Sequence, residues 1–254
     1  MIENKNQEKK RFVYQITQDG SFSIKIHEGN KIYECMHSEK GAFAETLYVY
    51  EPVINFVLAQ QSPPLPLSFL SLGLGIGLVE MLTVGKLFSI CPDLLLKSDF
   101  SLESFESEEI LIENFKNLFF APKKIESDFL FYQTNLEKVC LHYHLHLETF
   151  KQCFVYLIEN KKINFRGKFH SGSQVNKNLS GVFFDVFSPK FSPELWHDKT
   201  LSLLINQTNQ FCAFASYASR SSLKKILQSS NFFLQKRKGF AGKRECTLAI
   251  KKPA

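Results

Sequence analysis

Hydrophobic and polar residues alternate in three short segments near the start of the chain. These segments are residues 12–17, 22–26 and 31–36, and turn-forming residues lie between them at Gly20 and at 28–30. Alternation with a period of two is typical of strands that bury one face. We therefore predict a small antiparallel β-meander. Apolar residues at helical spacing then predict a helix over residues 42–58.

From residue 67 onward, the pattern changes to strands that alternate with helices. The predicted strands are residues 67–72, 94–102, 139–147, 182–187 and 211–216, and the predicted helices are 78–88, 107–119, 148–160, 193–207 and 221–229. Residues 164–180 are polar and predict a loop, whereas 232–238 and 245–251 predict a final hairpin. This alternation predicts an α/β fold: a mainly parallel, doubly wound Rossmann-like sheet with a C-terminal antiparallel hairpin and the N-terminal antiparallel extension. We divide the chain into an extension, 1–62, and a Rossmann-like domain, 63–254.

The stretch from Ser68 to Glu80 combines an apolar strand, three glycines at alternate positions and the start of a helix. Gly73, Gly75 and Gly77 have no Cβ, so the backbone there can come close to a ligand, and the first N–H groups of the helix point into the same space. The spacing is not the longer G-x-G-x-x-G of nicotinamide enzymes. Taken alone, the bend is equally compatible with a nucleotide-type site and with a simple chain reversal.

The composition, with 254 residues of which 44% are hydrophobic and 22% charged, is typical of a globular protein. Residues 65–82 are nearly all apolar, but Pro66, the three glycines and Glu80 argue against a membrane span. The first eleven residues are polar and lack the apolar core of a signal peptide, so we expect a cytoplasmic protein. Six cysteines without C-x-x-C spacing indicate reduced thiols rather than a zinc site or a disulfide framework.

Positive charge is concentrated at the C-terminal end of the chain. Residues 220–254 contain ten Lys or Arg and one acid, Glu245, whereas the whole chain has a net charge of +6. The rest of the chain is therefore mildly acidic. A basic region on such a body favours a polyanionic partner, RNA or DNA, although a solubilising surface would give the same pattern. Five of these charges surround one turn, where Phe240 could stack on a base: Lys236, Arg237, Lys238, Lys243 and Arg244.

Two carboxylates lie near the ends of predicted strands, where a doubly wound sheet presents its ligands. Glu103 is placed to accept the hydroxyl protons of a ribose, although it could be one of several solvated loop acids. Asp185 ends an apolar strand, where a carboxylate is costly unless it is paired or faces a cleft. The alternating histidines 142, 144 and 146 would share one strand face, but no further ligand supports a metal site.

Several segments, taken in order, resemble one known family. Asp185-Val-Phe-Ser-Pro-Lys-Phe-Ser-Pro-Glu-Leu-Trp196 resembles its D-x-F-[AS]-P-x-x-N-P-[ED]-[LM]-W segment, and residues 236–245 resemble its KRKGFGxKRE signature. Residues 37–46 resemble its G-x-x-E-[ST] segment, and 213–219 its strand-plus-helix passage. The family is the methyltransferase domain of the tRNA 5-methylaminomethyl-2-thiouridine biosynthesis protein, MnmC. No part of the chain resembles the FAD-dependent oxidase domain, so we expect a stand-alone version.

The resemblance implies a Rossmann-like class I methyltransferase that uses S-adenosylmethionine. The implied acceptor is the amine of 5-aminomethyl-2-thiouridine at the tRNA wobble position, which a separate enzyme could supply. By position, the three glycines match the cofactor loop, Glu103 the ribose acid and Asp185 the catalytic aspartate. The family's glycine-aspartate pair, which serves the adenine at the end of the third strand, falls at His146 and Leu147. The wobble base would be held by Phe187 and Trp196, and the tRNA by Lys236, Arg237, Lys238, Lys243 and Arg244.

The chain departs from the family pattern at three places. In the family, an acid precedes the glycine loop and an asparagine follows it, but here these positions hold Ser71 and Val79. The family's glycine-aspartate pair is replaced by His146-Leu147. Two alternatives therefore stay open. One is a methyltransferase that acts on another RNA or on a small molecule, and the other is a non-catalytic RNA-binding module with a decayed cofactor pocket.

Overall fold

A small antiparallel sheet and a helix form the N-terminal part of the fold. The computed structural model describes residues 11–28, 31–60, 67–96, 100–120 and 127–253. Strands β1 (Arg11–Ile16), β2 (Phe22–Glu28) and β3 (Lys31–Cys35) pair in the order β1-β2-β3, and helix α1 (Ala42–Ala59) follows them. The predicted meander and its helix are confirmed.

The large sheet has seven strands in the order β6-β5-β4-β7-β8-β10-β9. The chain runs through it as β4 (Ser68–Leu72), β5 (Ser101–Phe105), β6 (Ile163–Arg166), β7 (Leu179–Phe184), β8 (Thr208–Ser216), β9 (Phe233–Arg237) and β10 (Cys246–Lys251). Strands β6, β5, β4, β7 and β8 are parallel, whereas β10 is antiparallel to both β8 and β9. The connections reverse direction beside β4, and the crevice at that point is where doubly wound sheets bind ligands. The predicted fold class is confirmed.

Helices cover both faces of this sheet. They are α2 (Leu78–Ile90), α3 (Pro92–Leu96), α4 (Glu109–Phe120), α5 (Ser127–Tyr143), α6 (Leu147–Glu159), α7 (Asp198–Ile205) and α8 (Ser221–Ser229). Neighbouring residues of one strand enter different cores: Phe69 and Phe183 stack at 5.8 Å under α1 and α2, whereas Leu70 and Val182 face α7 and α8. Strands buried on both faces explain the continuous apolar runs in the sequence. Among the described residues, no helix combines the length and apolar character that a bilayer crossing requires.

Four predictions of secondary structure are wrong, in whole or in part. The predicted strand 94–102 starts within helix α3, and the actual strand, β5, ends three residues later, at Phe105. The predicted strand 139–147 belongs to α5 and the start of α6, because Leu136, Val139, Cys140 and Tyr143 are buried with helical spacing. His142, His144 and His146 therefore do not share a strand face. The predicted loop 164–180 begins with strand β6, and the predicted helix 193–207 is divided into a 3-10 turn, Pro193–Trp196, and α7.

The predicted division of the chain at residues 62 and 63 lies outside the described residues and stays a prediction. Helix α1, from the N-terminal part, packs against β7 and β8 of the large sheet. Its Tyr50 contacts Phe183 edge to face, with ring centroids 5.9 Å apart. The N-terminal extension therefore completes one side of the sheet rather than standing apart from it.

Candidate active site

The glycine bend joins β4 to α2 and has a conformation that requires glycine. Gly73, Gly75 and Gly77 have φ angles of +96°, +53° and +76°, in the left-handed region that disfavours other residues. A Cβ on Gly73 would lie 2.3 Å from the carbonyl oxygen of Asp185, and one on Gly77 would lie 2.0 Å from the ring of Phe115. The missing side chains therefore let the bend pack directly against the end of β7 and against α4.

A carboxylate at the end of β5 fixes the other side of the bend. Glu106 accepts the N–H of Gly75 at 2.9 Å and the N–H of Glu108 at 3.1 Å. The N–H groups of Gly73 and Leu74 bond to the carbonyl oxygen of Phe105, at 2.9 and 3.2 Å. Burial raises the pKa of Glu106, whose side chain is only 7% exposed. An acid at this strand end is where a nucleotide-binding sheet recognises a ribose.

Glu103, the acid predicted for the ribose, lies in the middle of β5 instead. It pairs with Leu70 and Asn164 of the neighbouring strands, and its carboxylate contacts Arg166 at 3.4 Å and the N–H of Asn176 at 2.8 Å. Glu103 is not among the described residues that line the cleft, whereas Glu106 is. Because β5 ends three residues beyond the predicted end, Glu106 rather than Glu103 lies at the cleft, and Glu106 becomes the candidate for the ribose.

Asp185 directly follows β7 and lies beside the glycine bend. Its N–H donates to the carbonyl of Leu72 at 2.9 Å, and its Oδ1 accepts the hydroxyl of Tyr50 at 2.6 Å. Burial raises the pKa of Asp185 to about 7, and the hydrogen bond from Tyr50 opposes this rise. Burial and the nearby Asp185 also raise the pKa of Tyr50 well above its usual range, so Tyr50 stays a neutral donor.

These groups share one cleft above the carboxyl ends of the parallel strands. It is lined by the bend and the ends of β4 and β5, by segments that follow β6, β7 and β8, and by β2 and β3 of the small sheet. The lining residues are Leu72 to Gly75, Phe105 to Ser107, Lys168, Phe169, Asp185 to Phe187, Phe191, Ser192, Glu194, Leu195, Tyr217, Ile26 and Cys35 to His37. The bend, Glu106 and Asp185 therefore face a common space.

The two predicted aromatic residues have different positions. Phe187 lines the cleft. Trp196 is 7% exposed and packs edge to face on Phe184, with ring centroids 5.0 Å apart. Its Nε1 donates to the carbonyl of Phe187 at 2.8 Å. Trp196 therefore holds the loop that carries Phe187 and is not itself among the described residues of the cleft wall.

The pair predicted for the adenine, His146 and Leu147, caps and begins helix α6, so its assignment to the third strand is wrong. Neither residue is among the described residues that line the cleft. The third parallel strand in chain order is β6, which ends at Arg166. Lys168 and Phe169 follow it and line the cleft, so the wall beside β6 is built by these two side chains.

The basic turn between β9 and β10 lies beside the cleft, and its Lys243 approaches a residue of the cleft wall. The Nζ of Lys243 forms an ion pair with Glu45 of α1 at 2.5 Å and lies 5.7 Å from the ring centre of Tyr217, which lines the cleft. Arg237 is held on α1, over the ring of Tyr48 at 4.4 Å. The other three predicted residues, Lys236, Lys238 and Arg244, are exposed. Two segments distant in sequence, 37–46 and 236–245, thus meet beside the cleft.

The cleft residues fit S-adenosylmethionine. A Cβ on Gly75 would lie 3.0 Å from the sulfur of Met36, which also lines the cleft, so the bend leaves room only for backbone there. Glu106 is placed for a ribose, and the N-terminus of α2 adjoins the bend. These residues would hold the nucleoside part of the cofactor.

Comparisons with known proteins agree with this geometry. A family model for S-adenosyl-L-methionine-dependent methyltransferases matches residues 162–252, from β6 through β10. The tRNA 5-methylaminomethyl-2-thiouridine biosynthesis bifunctional protein MnmC of Actinobacillus pleuropneumoniae is 34% identical over 74 residues, 29% of this chain and 11% of that protein. MnmC2 from Aquifex aeolicus has the same fold, with a TM-score of 0.67 at 22% identity over 98% of this chain and 73% of that one. Residues 162–252 are therefore similar to S-adenosyl-L-methionine-dependent methyltransferases.

The family model also confirms S-adenosylmethionine as the predicted cofactor. An uncharacterized protein of Methanocaldococcus jannaschii is 23% identical to this chain over 250 residues, 96% of the chain and 61% of the relative. The chain thus covers a small part of the bifunctional MnmC protein and about three fifths of the archaeal one.

Three residues of the candidate site were not predicted from the sequence: Tyr50, Glu106 and Tyr217. Tyr50 lies 135 positions from its partner Asp185, so only the packing of α1 on the sheet brings them together. Glu106 could have been found from a correct end of β5. Tyr217 directly follows β8, and its sequence pattern alone does not indicate that its ring lines the cleft.

Proposed function

We propose that this chain methylates the primary amine of 5-aminomethyl-2-thiouridine at the wobble position of tRNA, with S-adenosylmethionine as the methyl donor. The observation that carries the proposal is the position of Asp185, a partly exposed carboxylate beside the glycine bend in a cleft that adjoins a basic turn. The MnmC relative is named for the biosynthesis of 5-methylaminomethyl-2-thiouridine, the product of this methyl transfer, and so supports the choice of substrate.

Asp185 acts on the acceptor amine. When bound, the cofactor supplies a methyl group on a sulfonium sulfur, which is an activated leaving group. An ammonium has no lone pair, so the amine must be neutral when it attacks. Tyr50 occupies Oδ1 of Asp185. We assign Oδ2 to the amine, where it accepts a proton and orients the lone pair toward the methyl group.

The remaining predicted residues hold the RNA. Phe187, on the cleft wall, contacts the flipped wobble base, and Trp196 acts indirectly by holding the Phe187 carbonyl. Lys236, Lys238, Lys243 and Arg244 are exposed and bind phosphates, whereas Arg237 is held against Tyr48. A separate enzyme provides the aminomethyl group. Because the substrate is a tRNA, the protein acts in the cytoplasm.

The test is methyl transfer to tRNA that carries 5-aminomethyl-2-thiouridine. The purified chain is incubated with this tRNA and methyl-labelled S-adenosylmethionine, and the digested nucleosides are analysed by mass spectrometry. We expect label in 5-methylaminomethyl-2-thiouridine and none in a matched tRNA whose wobble uridine is unmodified. Label in a different nucleoside would support a methyltransferase with another substrate. Binding of tRNA without any transfer would support a non-catalytic RNA-binding module.

A further inference from the structure

Two oppositely charged residues meet from opposite sides of the cleft. Lys168 follows β6, and Glu194 lies in the 3-10 turn Pro193–Trp196, which comes after β7. The Nζ of Lys168 is 2.9 Å from Oε1 of Glu194. Both side chains line the cleft that contains the glycine bend and Glu106.

The order of the strands determines where this ion pair lies. In the sheet, β6 and β7 are separated by β5 and β4. Neighbouring strands are about 4.8 Å apart, so β6 and β7 are roughly 14 Å apart. Segments that follow β6 and β7 can form a 2.9 Å contact only by reaching over the ends of β5 and β4. The pair therefore crosses above the glycine bend and Glu106.

The ion pair is exposed on its outer side. The side chains of Lys168 and Glu194 are 62% and 42% exposed. Exposed pairs are weak and are screened by salt, so this contact can open and close without disturbing the fold. The turn that carries Glu194 is anchored by Trp196, whose Nε1 donates to the Phe187 carbonyl at 2.8 Å. Opening therefore needs movement of the two side chains only.

We propose that Lys168 and Glu194 are cofactor-positioning residues whose ion pair closes over the adenosine part of the bound cofactor and slows its release. Glu106, the ribose acid, follows β5, and Lys168 and Phe169 follow the next strand outward, β6. The base attached to that ribose thus lies on the β6 side, beneath the pair. This proposal depends on the proposed function in one respect: the cleft must bind the cofactor.

The test measures the dissociation rate of S-adenosyl-L-homocysteine, which lacks the sulfonium charge and so limits direct salt effects. Trp196, the sole tryptophan of the sequence, lies in the same turn as Glu194 and reports binding by stopped-flow fluorescence. The variants are Lys168→Ala, Glu194→Gln and the charge swap Lys168→Glu with Glu194→Lys. Lys199→Ala is the matched control, because Lys199 is exposed on α7 and is not among the described residues of the cleft wall. Calorimetry gives the affinities independently.

Each single variant is expected to release the probe about two- to five-fold faster, the effect of losing one exposed ion pair. Raising the salt concentration from 0.05 to 0.5 M should accelerate release from the wild type by a similar factor and leave the single variants unchanged. The charge swap should restore slow release, and Lys199→Ala should behave as the wild type. Wild-type rates in both single variants, or a swap that fails to restore slow release, would overturn the proposal while leaving cofactor binding intact. Absence of binding to the wild type would overturn the cofactor site itself.

Discussion

Replacing Asp185 with Asn is expected to lower the rate of methyl transfer by about 10²- to 10⁴-fold, the usual contribution of a positioned general base. The amide keeps the size of the carboxylate and can still accept the Tyr50 hydroxyl, but it cannot take a proton from the amine. Binding of S-adenosylmethionine should change little, because Asp185 is assigned to the acceptor. Single-turnover transfer to tRNA and calorimetry with the cofactor measure the two effects separately.

The pKa of Asp185 adds a pH dependence to this prediction. Because burial raises that pKa from 3.8 to about 7, wild-type transfer should decline as the pH falls through 7 and the carboxylate becomes protonated. The folded chain keeps this proton at pH values where the unfolded chain has lost it. Ionisation of Asp185 therefore costs stability as the pH rises from about 4 to 7, and the full cost is present above 7. At pH 8, Asp185→Asn should unfold at a temperature equal to or higher than that of the wild type.

An Asn variant that turns over at the wild-type rate would remove Asp185 from the chemistry. Loss of transfer together with a marked fall in the unfolding temperature would instead indicate a structural role. The Ala variant is a less clear test, because it also leaves the Tyr50 hydroxyl without its acceptor.

The second large effect is expected at Glu106. Changing Glu106 to Gln should weaken binding of S-adenosylmethionine by about 10- to 100-fold, since hydrogen bonds to a charged acceptor contribute about 1.5–3 kcal/mol. In glutamine, an NH₂ group replaces one of the two carboxylate oxygens. The oxygen lost is either the one that accepts the Gly75 N–H or the one that would accept the ribose hydroxyls. Isothermal titration calorimetry measures the affinity directly.

Glu103→Gln is the matched control for this prediction. Both acids belong to the same segment and both are buried, at 6% and 7% exposure. Glu103, however, contacts Arg166 and the N–H of Asn176 instead of the bend. We expect the Glu103 variant to bind the cofactor with nearly wild-type affinity. The reverse order of affinities would return the ribose site to Glu103 and contradict the position assigned to Glu106.

The sequence contains enough local signal to predict the main architecture. Gly73, Gly75 and Gly77 mark a bend whose left-handed backbone favours glycine, and apolar runs such as 67–72 and 211–216 correspond to strands buried on both faces. Asp185 could be found because it directly follows such a run. Each of these signals lies within a few residues of the feature that it predicts.

The errors arose where tertiary contacts decide the structure. Strand β6 has the short sequence Ile163-Asn-Phe-Arg166, whose polar residues give no local strand signal, and its place is set by pairing with β5, where Arg166 meets Glu103. The histidines after residue 141 suggested alternation, but the buried positions 136, 139, 140 and 143 follow a helical period. The pairs Tyr50–Asp185 and Glu45–Lys243 join positions far apart in the chain, so no local pattern could reveal them.

Calorimetric titration of the wild-type chain with S-adenosylmethionine tests most directly whether the cleft above β4, β5 and β7 is a cofactor site. We predict saturable binding of one molecule per chain. A folded chain that shows no binding would contradict the assignment of the glycine bend and Glu106, and with it the proposed methyl transfer.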